Sequence, residues 1–207
     1  MKTTARSLAV MAALLATGHA YAVTDPAGDL LSSFAGDRSI AAFDILSAEA
    51  TFDAEAGTFL LHAHTAGPIA DVATAAYVFG FNRGAATGAP FAGIGVPGVS
   101  FDAAVLLRSD GTGTLGGTPI LGQIEGNDIF ATVSASLLPS TGFAAENFTW
   151  ALWSIDSSIT GNTRNADFGP DANLQVAAIP EPGTWAMLLA GLGIVTGVAR
   201  RRAHARA

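Results

Sequence analysis

The sequence predicts an all-β protein, an antiparallel β-sandwich with a signal helix at its N-terminus and a single transmembrane helix at its C-terminus. Composition favours this class, because the 207 residues include 24 glycines and only 13% are charged. Short apolar or alternating runs are separated by turn residues, and no long helical periodicity is present in the middle of the chain. Such a pattern is typical of a sandwich of short strands.

The first 22 residues have the pattern of a secretory signal peptide. Lys2 and Arg6 form a positive region, and the apolar run at 8–16 that follows is too short to span a bilayer. An Ala-Tyr-Ala triplet then ends at Ala22 and fits the small-residue rule for cleavage. The sequence therefore predicts export and a mature chain that begins at Val23.

Residues 23–178 are predicted to form one domain of seven or eight strands, enough chain for a full hydrophobic core. Turn residues at 54–57 and at 126–127 each separate two strand-like runs, which predicts two β-hairpins. The expected strands are 48–53, 58–65, 73–82, 101–108, 120–125, 128–135, 147–155 and 173–177.

The segment 179–207 has the composition of a sorting and anchoring tail. Its parts, in order, are the tripeptide Pro180, Glu181 and Pro182, an apolar stretch at 185–199, and the cluster Arg200, Arg201 and Arg202. Arginines favour the cytoplasmic end of a span, so the middle domain is expected on the opposite side of the membrane. The stretch is short and rich in glycine and alanine, which predicts a transient anchor.

This order of parts resembles the PEP-CTERM sorting signal. The resemblance implies processing near Pro180 by an exosortase, a membrane-embedded cysteine protease of Gram-negative bacteria that make extracellular polysaccharide. It also implies transient anchoring in the inner membrane, followed by delivery to the cell envelope or the extracellular space. The resemblance does not extend to the middle domain, whose role it leaves open.

Charge is distributed unevenly along the chain. Six of the ten basic residues lie at the two ends, so the segment 23–181 sets four arginines against all 17 acidic residues, a net charge of −13. Such a surface repels phosphate backbones, which excludes nucleic acid as a partner, and it attracts cations. The chain has no cysteine, so disulfides, thiolate metal sites and cysteine nucleophiles are excluded.

Acidic and amide side chains are concentrated in two predicted loops. Calcium prefers several carboxylate, amide and carbonyl oxygens, and an exported domain without disulfides would gain stability from one bound ion. Asp25 and Asp29 are the expected ligands, with ordinary turn formation as the alternative. The first loop contains Asp25, Asp29 and Asp37, with Asp44 opening the next strand, and the second contains Asn162, Asn165, Asp167 and Asp171.

A pair of histidines and a pair of tryptophans are further candidates, for binding a metal ion and a sugar ring respectively. His62 and His64 lie two apart on one predicted strand and share a face, so they form a possible zinc or copper pair or two solvent-facing histidines. Trp150 and Trp153 lie on opposite faces of another strand. One is expected in the core, and the other is either a platform for a sugar ring or buried as well.

The start of the middle domain, from Asp25 to the strand at 58–65, is loosely similar to DOMON-like and carbohydrate-binding sandwiches of exported proteins. Two glycine-rich stretches, 93–98 and 111–116, match the spacing of a dinucleotide-binding loop. Neither is followed by a predicted helix, so both are expected to be ordinary loops. No convergent set of nucleophile and base is visible, and the domain is predicted to be non-catalytic.

Three functions are therefore considered for the mature domain. The first is a non-catalytic component of the cell envelope or extracellular matrix that contacts extracellular polysaccharide. The second is a calcium-stabilised module that binds a carbohydrate or another ligand. The third is an extracellular enzyme acting on glycans, which would need two carboxylates at catalytic separation in a cleft.

Overall fold

Strands make up most of the regular structure in the computed structural model, which describes residues 22–179, 188–189, 191–192 and 194–196. The only helices within 22–179 are short 3-10 segments, at Ala41–Phe43, Ala92–Ile94, Ala135–Leu137, Ala145–Asn147 and Asn162–Arg164. The strands are β1 (Val23–Thr24), β2 (Ile45–Asp53), β3 (Thr58–Thr65), β4 (Ala75–Asn82), β5 (Ala103–Arg108), β6 (Thr112–Leu115), β7 (Thr118–Glu125), β8 (Asp128–Ser134), β9 (Thr149–Asp156), β10 (Asn165–Phe168), β11 (Leu174–Gln175) and β12 (Ala177–Ala178).

The strands form one curled sheet in the order β1-β2-β3-β8-β7-β6-β5-β4-β9-β10, with β11 paired to β9 and β12 paired to β2. Pairing is antiparallel except between β12 and β2. Strand β7 joins the two halves, because it pairs with β6 up to Leu121 and with β8 from Gly122 onward. The all-β class with antiparallel pairing is confirmed, whereas a sandwich of two separate sheets is not, since β7 makes the sheet continuous.

Alternation along the strands places the main core inside the curl. On β3, Phe59, Leu61 and Ala63 are buried, while the residues between them face outward. The neighbouring β8 follows the same rule, with Ile129 and Val133 turned inward. This two-residue period is the one that the apolar pattern of a half-buried strand requires.

Strands β4 and β9 are buried on both faces and run side by side along their full lengths. Their outer faces are covered by the chain between β4 and β5, where Phe91 and Phe101 pack around the indole of Trp153 at centroid distances of 5.0 Å. A second apolar cluster therefore lies outside the curl, which explains why the sequences of these two strands are nearly continuously apolar.

Most predicted strands are present, and the two predicted hairpins are β2–β3 and β7–β8. Three short strands were not predicted: β1, β6 and β10. The prediction of a plain loop at 111–116 is wrong for its centre, because Thr112–Leu115 pairs with both β5 and β7. The other glycine-rich stretch contains the end of the 3-10 turn Ala92–Ile94 and no α-helix, as expected.

The predicted terminal segments lie mainly outside the described residues. These are the signal peptide up to residue 21, the tripeptide Pro180, Glu181 and Pro182, and the cluster Arg200, Arg201 and Arg202. In the predicted membrane stretch 185–199, the described residues at 188–189, 191–192 and 194–196 are helical. Within the part of the chain that is described, no helix has the length and apolar character needed to cross a membrane.

Candidate metal centre

Three carboxylates from distant parts of the sequence converge beside the start of β2. Asp25 follows β1, Asp29 lies in the next turn, and Asp167 is on β10. One oxygen from each lies within 4.8 Å of the others. Backbone hydrogen bonds hold this arrangement, since the Asp25 N–H donates to Leu46 O at 2.9 Å and the Leu31 N–H donates to Ala166 O at 2.8 Å.

Asp167 forms the buried floor of this cluster, with only 3% of its surface exposed. Its Oδ2 accepts the N–H of Ile45 at 2.7 Å, and its Oδ1 accepts the N–H of Phe168 at 2.9 Å. The pairing of β10 with β9 shifts register between Asn165 and Asp167. The bulge and the two N–H donors therefore orient a carboxylate that the apolar core would otherwise exclude.

Asp25 supplies an oxygen without a partner. Its Oδ2 is buried and makes no hydrogen bond within the described structure. Burial, and after it the negative charges of Asp167, Asp29, Asp171 and Asp44 in that order of importance, together raise the pKa of Asp25 to about 8. A half-buried carboxylate with one unpaired buried oxygen, placed among other carboxylates, is costly unless a cation or a proton compensates its charge.

The surrounding groups add to the negative potential. Burial raises the pKa of Asp167 to about 7, with contributions from Asp29 and Asp44 that the N–H groups of Ile45 and Phe168 oppose. Burial and the charge of Asp29 also raise the pKa of Asp171. The cluster is thus an electrostatically frustrated site at which a divalent cation would stabilise the folded state.

Asp44 contributes to the site mainly by shaping the loop. Both of its carboxylate oxygens accept the N–H of Gly28, at 3.0 and 2.9 Å. The loop is also closed by Arg38, whose guanidinium donates to the carbonyls of Leu30 and Leu31. These contacts hold Asp29 over the cluster, so the site does not depend on a free loop to bring in its ligand.

The donor set suits a hard cation. Carboxylate oxygens are the preferred ligands of calcium, and a backbone that is already folded around them reduces the ordering that binding would require. Gly169 lies against the site, because an added Cβ would come within 3.4 Å of the Asp25 carboxyl carbon and 2.8 Å of an Ile45 methyl. The close approach of the Gly169 backbone leaves no space for a side chain there.

The structure brings together Asp25 and Asp29, the predicted ligands, and joins them to Asp167 from the second predicted loop. Asp171 from the same loop is close enough for its charge to raise the pKa of Asp25. Asp37 instead accepts the N–H and hydroxyl of Ser39, which is ordinary turn chemistry. Sequence reasoning missed that the two acidic segments meet. The missing signal was the unpredicted strand β10, whose pairing with β9 places Asp167 beside the start of β2.

His62 and His64 share the outer face of β3, as their spacing predicts, and both bind one carboxylate oxygen. His62 Nε2 donates to Asp128 Oδ1 at 2.8 Å, and His64 Nδ1 donates to the same oxygen at 2.9 Å. Burial raises the pKa of Asp128, but the hydrogen bonds from the two histidines outweigh it and leave that pKa below its usual value. These contacts give both imidazoles a structural partner.

Trp150 and Trp153 are both buried, with 2% and 3% of their surfaces exposed. Trp150 packs in the main core near Phe79, and Trp153 belongs to the second cluster with Phe91 and Phe168. Neither indole presents a free face to solvent, so the structure gives no support to the predicted sugar platform at these residues. The two-sided burial of β9 is the physical reason.

Comparison with known proteins identifies the C-terminal segment and leaves the middle domain unassigned. No curated protein and no solved structure gives a significant match to the chain. Residues 178–203 match the family model of the PEP-CTERM protein-sorting motif, which overlaps the end of β12 and covers the predicted tail up to residue 203. The chain therefore carries a PEP-CTERM protein-sorting motif, the mark of an exported protein that an exosortase sorts at the membrane.

Proposed function

We propose that this protein is a non-catalytic component of the cell envelope or extracellular matrix, anchored transiently by its tail and then processed near Pro180. The observation that carries the proposal is the sorting motif at 178–203. The acidic, cysteine-free middle domain would be the part that remains outside the cell.

The junction between the domain and the motif supports this division. Strand β12 pairs with β2, and the N–H of Ile179 donates to Phe52 O at 3.0 Å, directly before Pro180. Beyond the motif's first residues, the described helical positions expose large apolar side chains, among them Leu188 and Ile194. Exposed apolar residues on a helix suit a lipid environment rather than the surface of a water-soluble domain.

A processing assay in cells tests the proposal. The full-length chain is expressed in a host with its exosortase and in the same host without it, and mass spectrometry is performed on membrane and extracellular fractions. We expect a product that begins at Val23 and lacks the tail only when the enzyme is present. Replacing Glu181 by Ala should leave the uncleaved chain in the membrane fraction, whereas replacing Glu146 by Ala should not.

Two results would contradict the proposal. One is a full-length chain that stays in the cytosol with both ends intact. The other is normal removal of the tail in cells without the exosortase. Either result would show that the sorting motif does not direct the export and processing of this protein.

A second candidate function is a calcium-stabilised binding module. The observation that favours it is the convergence of Asp25, Asp29 and Asp167 around a buried carboxylate oxygen without a partner. Calcium would bind the three carboxylates and neutralise their mutual repulsion, which would tie β1 and the following turn to β10. This role is compatible with export, since it concerns stability and not sorting.

A further inference from the structure

The outer face of β2, β3, β8 and β7 carries a row of side chains that point away from the hydrophobic core. Strand register places Glu49 opposite His62, His62 opposite Phe130, and Phe130 opposite Gln123. Cross-strand partners share one face of a sheet, so these four side chains form a line across four strands. The inward-facing neighbours of His62 and Phe130 belong to the main core, so this line faces solvent.

A groove of about 630 Å³ runs along this row. Leu60 and Leu121 line it and are exposed to 39% and 78%, so they contribute apolar surface to the same groove. The hydroxyl-bearing Thr132 also lines it. Apolar surface and hydrogen-bonding groups therefore alternate within one groove of ligand size.

The centre of the groove is a rigid pair of rings. The His62 imidazole stacks on the Phe130 ring with centroids 4.4 Å apart and planes 5° from parallel. Asp128 Oδ1 accepts from His62 Nε2 at 2.8 Å and from His64 Nδ1 at 2.9 Å, so a hydrogen bond at its ring edge orients the His62 imidazole. A platform that is already ordered loses little conformational entropy when a ligand docks on it.

These features match the chemistry of a sugar ring. The C–H face of a pyranose packs on an aromatic ring, and its hydroxyls require acceptors and donors at the edge of the platform. Glu49 and Gln123 stand at the two ends of the row and supply a carboxylate and an amide. An aromatic centre flanked by such groups binds a polar, ring-shaped ligand better than an apolar peptide.

Charge indicates which saccharide fits. Glu49 lies in the row, and the exposed Glu125 lies opposite Asp128 in the register of β7 and β8. Asp128 itself is paired with His62 and His64, so Glu49 and Glu125 carry the charge argument. The segment 23–181 carries a net charge of −13 as well. A polymer with carboxylates or phosphates would be repelled, while protonated amino groups would be attracted.

We propose that this outer-face groove binds a saccharide chain that carries amino groups, with the stacked rings of Phe130 and His62 as its aromatic contact and Glu49 as the group that favours the charged ligand. The proposal extends the proposed function, because an envelope or matrix protein would meet such a polymer only after export. It replaces the buried tryptophans with an exposed site elsewhere on the sheet.

Calorimetry on the full-length protein, purified in detergent, tests the groove with three probes of equal length. They are a glucosamine hexamer, its neutral N-acetylated form and a hexamer of galacturonic acid. We expect saturable binding of the glucosamine hexamer, weaker binding of the neutral form and no binding of the acidic one. Replacing Phe130 by Ala should weaken binding about tenfold. The exposed aromatic Phe143 is the matched control, and its replacement by Ala should change nothing.

A second variant distinguishes a loss of ligand binding from a loss of folding. Glu49→Gln keeps the size of the side chain, and it should reduce the preference for the charged over the neutral hexamer while the thermal unfolding midpoint stays unchanged. The proposal is overturned if no hexamer binds, if the acidic hexamer binds as well as the glucosamine one, or if Phe130→Ala binds like wild type. It is also overturned if Phe130→Ala only dissociates an oligomer in sedimentation, because the groove is then a contact between copies.

Failure of this inference is separable from failure of the proposed function. Processing and export depend on residues 178–203, so the Phe130→Ala variant should be cleaved and released like wild type. A normally processed protein without saccharide binding would remove only the groove proposal.

Discussion

At the scale of single residues, Asp25 lowers the stability of the domain when no cation is bound and would raise it when calcium is bound. Its buried oxygen lacks a hydrogen bond, and its pKa of about 8 results first from burial and then from four neighbouring carboxylates. Bound calcium would convert this repulsion into attraction. The stability of the domain should therefore depend on divalent cations.

Calcium is expected to raise the melting temperature. At about a hundred times its Kd, the ion would add about 2.7 kcal/mol, which corresponds to a shift of about 5–10 °C for a domain of this size. Differential scanning calorimetry in calcium and in EDTA measures the shift. Asp25→Asn should abolish the response and be no less stable than wild type in EDTA, because it removes a carboxyl group whose charged form burial and the neighbouring carboxylates disfavour.

Asp71 provides the matched control, since it is exposed and lies in a turn after β3. Asp71→Asn should keep the full response to calcium. Equal melting temperatures of the wild type in calcium and in EDTA would rule out a stabilising ion at Asp25, Asp29 and Asp167.

Asp102 is a carboxylate with the opposite behaviour. Burial raises its pKa, but hydrogen bonds from the Thr141 hydroxyl, from the Arg83 guanidinium at 2.9 Å and from the N–H groups of Ala85 and Arg83 leave that pKa below its usual value. Because the folded pKa is depressed, the charged form stabilises the fold above the unfolded pKa of about 3.9. That stabilisation is lost as the pH falls through the folded pKa.

Urea unfolding between pH 3 and 7 tests this sign. Asp102→Asn should cost about 1–3 kcal/mol of unfolding free energy at pH 7, and the difference from wild type should shrink toward pH 3. A difference that stays constant over this range would show that the charge of Asp102 does not contribute.

At the scale of elements, β7 determines how the sheet closes. It changes partners at Gly122, where an added Cβ would lie 2.9 Å from the carbonyl oxygen of Phe130. Only glycine lets the backbones of β7 and β8 approach this closely. The curl of the sheet therefore depends on the absence of a side chain at Gly122 as well as on the packing of the core residues.

Gly122→Ala is expected to destabilise the domain by about 1–3 kcal/mol, because the methyl group must displace backbone. The midpoint of urea unfolding measures the loss. Gly93→Ala is the control, since an added Cβ there meets nothing within 4 Å and it should change stability by no more than about 0.5 kcal/mol. Equal midpoints for the two variants would contradict the role of Gly122.

The elements also show what sequence reasoning can find. The hairpins around 54–57 and 126–127 were predictable because alternation and turn residues are local signals. Strand β10 was not, because it buries Asn165 and Asp167, and a buried polar strand has no apolar pattern. Asp167 on this strand accepts the N–H of Ile45, which lies 122 residues earlier in the sequence. The metal centre was therefore only half predictable, as Asp25 and Asp29 without Asp167.

The outer-face groove was missed for a related reason. His62 and His64 were recognised as a pair, yet their partner Asp128 and the ring of Phe130 come from β8. Sequence spacing reports which residues of one strand share a face, but register with another strand depends on the whole sheet. Binding sites assembled across strands are thus harder to predict than the strands themselves.

At the scale of the whole molecule, charge and processing are linked. The signal peptide and the C-terminal tail hold six of the ten basic residues, while 16 of the 17 acidic residues lie between Asp25 and Asp171. Removing both ends should make the protein more acidic than the precursor, whose isoelectric point is about 4.8.

Isoelectric focusing of the precursor and of the released protein checks this expectation. The released form should focus at a lower pH than the full-length chain. Identical positions would mean that the arginine-rich end is retained, and a Glu181→Ala chain should focus with the unprocessed form.

The place where the last strand ends has a consequence for the life of the released protein. A cut near Pro180 would leave a new C-terminus only a residue or so beyond an amide that is already bonded to the carbonyl of Phe52. Carboxypeptidases need a few residues of extended, unpaired chain to begin trimming, and this end would offer almost none. The cleavage that releases the protein would therefore also leave its new C-terminus hydrogen-bonded to β2 and protected from carboxypeptidases.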